Sequence, residues 1–133
     1  MLEVLQSRYF TVAVSGAEKL ARIERSDIPF DSIDDVTRAW REVDAALRKT
    51  VRRGRSLLID VRRAPARNDP AFETAVRSIL PDIRRGYRRI GVLVRSAAGG
   101  LQVSRLARAD GAEEYISSNE AELIAYLKEP EPT

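Results

Sequence analysis

Cationic and small polar residues gather at two points of the sequence, each directly after a predicted buried strand. The strand at 57–61 is followed by Arg62, Arg63, Arg67, Asn68 and Asp69, and the strand at 90–94 by Arg95, Ser96, Gly99 and Gly100. In open α/β sheets the carboxyl ends of parallel strands meet at one edge, beside helix N-termini whose N–H groups attract anions. These nine residues are therefore the candidate binding site, suited to a phosphate, a carboxylate or an acidic side chain. The alternative is that the arginines point to opposite sides and pair with acids of the same chain.

The residue types that most often carry catalysis are missing. The chain contains neither His nor Cys, which removes the usual general base near neutral pH, thiolate nucleophiles and the commonest transition-metal ligands. Carboxylates, hydroxyls, tyrosines and three lysines remain, and their spacing marks no catalytic site. We therefore expect a protein that is not an enzyme and that uses no cofactor and no metal.

Asp60 is the one acid inside an apolar strand. A desolvated carboxylate has a raised pKa and can transfer protons. More often such an aspartate lies near the strand end and pairs with an arginine or a loop amide. We adopt this structural interpretation for Asp60.

Positive charge is concentrated in the middle third of the chain. The formal net charge is +3, but residues 48–95 carry fourteen Lys and Arg against four acids. Such a segment can attract phosphates, acidic lipid or an acidic protein surface, or it can coat solvated helix faces. We prefer the solvated faces. Only 6% of the residues are aromatic, and this scarcity of stacking side chains argues against nucleic-acid binding.

The first half of the chain predicts a hairpin and then a helix. Residues 9–14 and 20–25 have the composition of strands and flank a turn. Ser32 is a candidate N-cap. Apolar residues then recur at steps of three and four, which predicts one helical stripe that ends before Gly54. The stripe consists of Ile33, Val36, Trp40, Val43, Leu47 and Val51.

Three strands and three helices follow in alternation. The strands are 57–61, 90–94 and 115–117. The element order is β-β-α-β-α-β-α-β-α, and strands joined through helices pair in parallel. We predict one α/β domain over residues 1–133, a single mixed and mainly parallel sheet packed by helices. Its core covers about 9–128, and 129–133 form a frayed tail.

Local signals predict several helix boundaries in this half. Asp69-Pro70 is an N-cap followed by proline at the first helical position. Pro81 predicts an end or a kink of that helix near Leu80. The small residues 96–100 predict a turn before a short third helix, which Asp110-Gly111 closes.

Three segments, taken with the element order, carry a family resemblance. They are the buried strand 57–61 with its Asp-initiated helix, 88–94 feeding a helix that includes 101–106, and the closing 115–127. Together they resemble the STAS-like domains of the anti-sigma-factor antagonist (SpoIIAA-like) group. The resemblance implies that family's fold and a regulatory module that binds a protein partner.

The same resemblance implies one departure from the family. Its members carry a phosphorylatable Ser or Thr directly after the helix-initiating Asp, and here that place is Pro70, which has no hydroxyl. We therefore expect an interaction module without the phosphorylation switch. Related SpoIIAA-like and Sec14-like domains are linked to small apolar or lipid ligands. The alternative function is therefore binding of a small anionic or lipid ligand at the basic sheet edge.

The termini and edges add two expectations. The N-terminus has no long apolar stretch after a basic start, and no window approaches the ~18 apolar residues of a membrane span. We expect a cytoplasmic protein with no transmembrane segment. Residues 9–14 are predicted as an antiparallel edge strand, and a symmetric homodimer through this edge is compatible with the sequence.

Overall fold

One six-stranded sheet organises the chain, and its strand order follows the sequence order. The strands are β1 (Leu2–Gln6), β2 (Phe10–Ser15), β3 (Leu20–Arg25), β4 (Ser56–Asp60), β5 (Ile90–Leu93) and β6 (Tyr115–Ser117). The helices are α1 (Ile33–Arg48), α2 (Pro70–Arg84), α3 (Ala97–Ala109) and α4 (Glu120–Lys128). The structure is a computed structural model that describes residues 1–109 and 114–130, without the side chains of Ala97 and of residues 105–109.

The sheet is mixed. β1, β2 and β3 pair antiparallel through short turns, whereas β3, β4, β5 and β6 pair in parallel through helical crossovers. Antiparallel neighbours need only a hairpin turn, and parallel neighbours need a long connection. The predicted α/β class, with one mixed sheet packed by helices, is confirmed.

β1 is absent from the sequence-based prediction, and it changes the edge of the sheet. β2, which contains most of the predicted edge strand 9–14, pairs with β1 on one side and with β3 on the other. The prediction that residues 9–14 form an edge strand is therefore wrong, because both edges of this strand are already paired and offer no free edge to a second copy. The signal for β1 is weak because it is short and contains a register irregularity between Glu3 and Leu5.

The two faces of the sheet are covered differently. Helices α1 and α2 pack on one face, where the larger core cluster includes Ile23, Leu57 and Val43. Helix α4 covers the other face, through a smaller cluster of Leu20, Leu58, Leu93, Leu123 and Leu127. All five residues of β4 are buried, as expected for a strand covered on both faces.

Helix α1 begins as predicted and ends earlier. The Ser32 hydroxyl accepts a hydrogen bond from the Asp35 N–H at 3.2 Å, which confirms the N-cap. The helix stops at Arg48, so Val51 lies beyond it and is 61% exposed. Gly54 has φ +78, the left-handed conformation typical of a glycine after a helix.

Helix α2 also begins as predicted. Of the two expected outcomes near Leu80, an end or a kink, the end is wrong. Asp69 accepts a hydrogen bond from the Phe72 N–H at 3.2 Å, and Pro70 occupies the first position. The helix continues past Pro81 to Arg84. Leu80 and Ile83 are both buried, so the packing of apolar residues on both sides of Pro81 outweighs the loss of one helical hydrogen bond.

The predicted turn at residues 96–100 is wrong as well. These residues lead into α3, which begins at Ala97. The Ser96 hydroxyl accepts a hydrogen bond from the Gly99 N–H at 3.3 Å, and its carbonyl accepts one from the Gly100 N–H at 3.0 Å. An N-capping serine thus compensates for the low helix propensity of two glycines. The expected stop at Asp110-Gly111 and most of the expected tail at 129–133 lie outside the described residues.

Over the described part of the chain, none of the helices combines the length and the apolar character that crossing a bilayer requires.

Candidate functional site

A cavity of about 470 Å³ lies on the face of the sheet that carries α1 and α2, bounded by α2 and α3. Its floor consists of Ile59, Val61, Val92 and Val94 from β4, β5 and the residues directly after them. Phe72, Val76 and Leu80 of α2 and Leu101, Gln102 and Val103 of α3 form the walls. Most of these side chains are apolar, and the volume falls in the range of small-molecule sites.

Arg25, the last residue of β3, also lines this cavity. Successive side chains of a strand point to opposite faces, so Arg25 shares the core face with Ala21 and Ile23. It is only 6% exposed. Its Nη1 donates hydrogen bonds to the Ser26 carbonyl at 2.8 Å and to the Ser26 hydroxyl at 3.2 Å. Within residues 1–109 and 114–130, no carboxylate lies within ion-pair distance of its guanidinium.

Aromatic rings surround the Arg25 guanidinium. Its carbon lies 4.1 Å from the centroid of Phe30, 5.5 Å from that of Tyr9 and 5.7 Å from that of Phe10. Ring faces attract a cation, but they do not neutralise it. Burial lowers the pKa of Arg25 to about 10, although Tyr9 and Asp27 partly oppose this shift. At neutral pH the site therefore holds a desolvated positive charge.

Besides Arg25, a pair of charged residues, Arg84 and Glu114, lines the cavity. Arg84, at the C-terminus of α2, lies 2.6 Å from the Glu114 carboxylate. Their side chains are 10% and 1% exposed. Because each charge has a partner of opposite sign, this pair is polar but has no net charge. The cavity consequently has a net cationic end near Arg25 and a balanced pair near the start of β6.

The structure brings the two predicted loops together at the mouth of this cavity. Six of the nine predicted binding residues line it: Arg62, Arg67, Asn68, Arg95, Ser96 and Gly99. The other three, Arg63, Asp69 and Gly100, lie outside the lining. The predicted site is thus the rim, and the apolar interior behind it was not predicted.

Arg62, which follows the end of β4, lines the cavity mouth and also joins an ion-pair network with acids on the α4 face of the sheet. Its guanidinium donates to Asp60 at 2.8 Å and 3.1 Å and to Glu120 at 3.2 Å. Arg22 joins the same two acids at 3.0 Å and 2.6 Å, and it also binds Glu24 at 2.8 Å. The network connects the N-terminus of α4 to the ends of β3 and β4.

The structural interpretation of Asp60 is confirmed. Burial alone would raise the pKa of Asp60, but hydrogen bonds from Arg62 and the charges of Arg62 and Arg22 together lower it below its usual value. Asp60 is therefore an ionised partner of two arginines and not a carboxyl group poised to transfer protons.

The remaining rim arginines differ from one another. Arg67 lies 2.6 Å from Asp69, the N-cap of α2, and the exposed Arg63 lies 3.7 Å from Asp27. Arg95 is exposed and forms no ion pair with any residue that the structure describes. Arg95 is therefore available at the mouth to attract an anion.

Several other arginines of the basic segment bind helix C-termini. Arg52 donates from Nη1 to the carbonyls of Asp82 at 2.7 Å and Arg85 at 3.0 Å, at the end of α2. Arg88 donates to the carbonyls of Leu127 at 2.7 Å and of Glu129, at the end of α4. Cations are favourable at these helix ends. Part of the basic segment therefore stabilises helix ends. The prediction that these arginines coat solvated helix faces did not anticipate this role.

No protein-family model, no curated protein and no solved structure matches the chain.

Arg25 is the residue of this site that sequence reasoning missed, although a signal exists. In β3 the residues Ala21, Ile23 and Arg25 alternate with Leu20, Arg22 and Glu24. The first set continues the apolar pattern of a core-facing strand and ends in a cation. A charged residue at a core-facing position marks either a buried ion pair or a binding site, because an isolated buried charge is costly.

Proposed function

We propose that this chain is a non-catalytic binding module that holds a small anionic or lipid ligand in the cavity. The observation that carries this proposal is Arg25. It is a buried cation beside an apolar volume, and its only polar partners in the described residues are on Ser26.

An anionic ligand would offset the free-energy cost of burying the charge of Arg25 without an acidic partner. A charge-assisted hydrogen bond to an anion is roughly twice as strong as a neutral one. The apolar part of the ligand would gain about 25 cal/mol for each Å² of surface removed from water. Both contributions favour an amphipathic anion over a purely polar or a purely apolar molecule.

The absence of catalysis is part of the proposal. The sequence contains no His and no Cys. The acids nearest the cavity and its rim, Asp60, Asp69 and Glu114, each lie within ion-pair distance of an arginine. Hydrogen bonds from arginines lower the pKa of Asp60 and of Asp69, so neither of these two acids is placed to exchange protons with a ligand near neutral pH.

A thermal-shift screen with decanoate, decyl phosphate, decyl sulfate and decanol tests this function. The three anions should raise Tm in the wild type, because a ligand that binds only the folded state stabilises it. They should raise it far less in Arg25→Met. Arg53→Met, which removes an exposed arginine outside the cavity, is the matched control and should respond like the wild type. No shift from any anion at millimolar concentration would refute the proposal.

A second proposal is a STAS-like regulatory module in the cytoplasm that binds a protein partner. It is supported by the alternation of strands and helices from β3 to α4 and by the Asp69 cap that opens α2. Pro70 occupies the place of the family's phosphorylated residue, so binding would be constitutive.

Affinity capture from the native cell at physiological salt tests this second proposal. A specific partner should be retained by the wild type and lost with Thr74→Trp, on the exposed face of the first turns of α2. Arg41→Trp, on the exposed face of α1, is the control. Recovery of no stable partner would count against this second proposal. So would a partner that the Thr74→Trp variant retains as well as the wild type does.

A further inference from the structure

We propose that the ligand is a single-chain aliphatic carboxylate of medium length. Its carboxylate pairs with Arg25, and its chain lies on the floor formed by β4 and β5. This inference rests on the proposed function above and specifies the chemical class of the ligand.

The free edge of the Arg25 guanidinium selects the head group. Nη1 is occupied by Ser26, whereas Nε and Nη2 donate to no described residue. These two nitrogens form one side of the planar group, and they match the two oxygens of a carboxylate in a bidentate contact. The Phe30 ring at 4.1 Å packs against the guanidinium and restricts its orientation.

The charge balance favours a monoanion. Arg25 is the cation of the cavity interior without an acidic partner in the described residues, and the other interior arginine, Arg84, is paired with Glu114. A phosphate monoester carries up to two negative charges, and its second charge would remain without a partner in a low-dielectric site. A carboxylate balances the one interior charge that has no acidic partner in the described residues, whereas Arg95 lies at the exposed mouth.

The shape and lining of the cavity determine the tail. Ile59, Val76, Leu80 and Val92 are each at most 7% exposed and offer only hydrocarbon surface. A volume of about 470 Å³ suits one alkyl chain and is too small for both chains of a phospholipid. The Arg84–Glu114 pair places polar groups on the lining away from Arg25, so a chain that extends to this pair gains no further apolar contact there.

Calorimetric titration of the chain of residues 1–133 with a series of sodium carboxylates from six to sixteen carbons tests this assignment. All ligands are used below their critical micelle concentrations, after removal of copurified lipid. Affinity should rise about four-fold with each added methylene and then stop rising once the cavity is full. A rise that continued through sixteen carbons would contradict a closed medium-length site.

Head-group comparison on the wild-type protein tests the carboxylate without any variant. Decanoate should bind at least ten-fold more tightly than decanol and more tightly than decyl phosphate, since a hydrogen-bonded charge pair contributes about that factor or more. If decyl phosphate binds better than decanoate, the carboxylate assignment is wrong and the proposed function stands. If decanol binds with the same affinity as decanoate, Arg25 is not the anion receptor. If none of the three binds, both proposals fail.

Variants at Arg25 provide a second, independent test. Arg25→Met should reduce decanoate affinity to that of decanol. Arg25→Lys should retain an intermediate affinity, because lysine keeps the positive charge but cannot form the bidentate contact. Arg53→Met should bind like the wild type. Undiminished decanoate binding by Arg25→Met would overturn the inference. If Arg25→Met does not fold, the comparison of Arg25→Lys with the wild type decides, and equal affinity for decanoate would count against a bidentate contact.

Discussion

Two arginines of the same strand, Arg22 and Arg25, occupy opposite environments. Arg22 faces α4 and lies 2.6–3.0 Å from three carboxylates, those of Glu24, Asp60 and Glu120. Arg25 faces α1 and α2 and has no acidic partner among the described residues. Burial opposes the charge of both side chains, but the acids around Arg22 raise its pKa, whereas the pKa of Arg25 is lowered to about 10.

This difference separates a structural cation, Arg22, from Arg25, the cation to which the proposed function assigns ligand binding. The charge of Arg22 is balanced within the fold, and its partners connect β3, β4 and α4. No carboxylate of the described residues lies within ion-pair distance of Arg25, and a cavity lies beside it. A buried charge without a partner is destabilising, and under the proposed function a ligand completes the pair.

The largest expected effect comes from removing the structural cation. Arg22→Met leaves Asp60 and Glu120 with Arg62 as their remaining arginine. The loss should therefore be about 2–3 kcal/mol, below the cost of leaving a buried charge with no partner. Urea unfolding at pH 7 measures this loss. A loss below about 1 kcal/mol would show that the network does not stabilise the fold.

The second prediction concerns the packing of the two faces. A Cβ atom at Gly91 would overlap the Leu123 side chain of α4, so Gly91→Ala should destabilise the protein by about 1–3 kcal/mol through overpacking. On the cavity face, Val76→Leu adds a similar volume where space exists, and it should change stability by less than about 1 kcal/mol. Equal losses in the two variants, compared by chemical denaturation, would argue against an open cavity under α2.

The third prediction is a pH dependence of the network. The pKa of Asp60 is lowered in the folded protein, so its contribution to stability is complete above the unfolded value of about 3.9. It is lost as pH falls through the lower folded value. Asp60→Asn should therefore be less stable than the wild type at pH 7, and the gap should narrow below about pH 4. A gap that stays constant from pH 7 to pH 2.5 would contradict this linkage.

The smallest effect on stability is expected at Arg25 itself. Arg25→Met removes an unpaired buried charge and keeps a side chain of similar length, so the free energy of unfolding should change by no more than about 1 kcal/mol in the absence of ligand. The contrast with Arg22→Met is the informative result. A loss at Arg25 as large as that at Arg22 would mean that Arg25 is a structural residue.

Local patterns predicted much of the fold. The caps at Ser32 and Asp69 and the buried runs of β4 and β5 depend on neighbouring residues, and the structure confirms them. The continuation of α2 past Pro81 was not predicted, because it depends on the buried packing around that residue. β1 was missed because a short strand is defined mainly by its pairing with β2.

The site was only half predictable for a related reason. Arg22 and Arg25 are similar in sequence, both in one strand with an acid nearby. What separates them is Asp60 and Glu120, which contact Arg22 from distant parts of the chain. The rim residues could be placed from the topology of parallel strands. The missing partner of Arg25 and the cavity beside it could be found only in three dimensions.

The most direct test of a binding role for Arg25 is a nitrogen-15 NMR spectrum of the arginine side chains. Decanoate should shift the Nε–H signal of Arg25, because the carboxylate accepts from it. The Nε–H of Arg22, which already donates to Glu24 at 2.8 Å, should stay unchanged, and decanol should move neither signal by a comparable amount. An Arg25 signal that does not respond to saturating decanoate would contradict the assignment of this residue as the anion receptor.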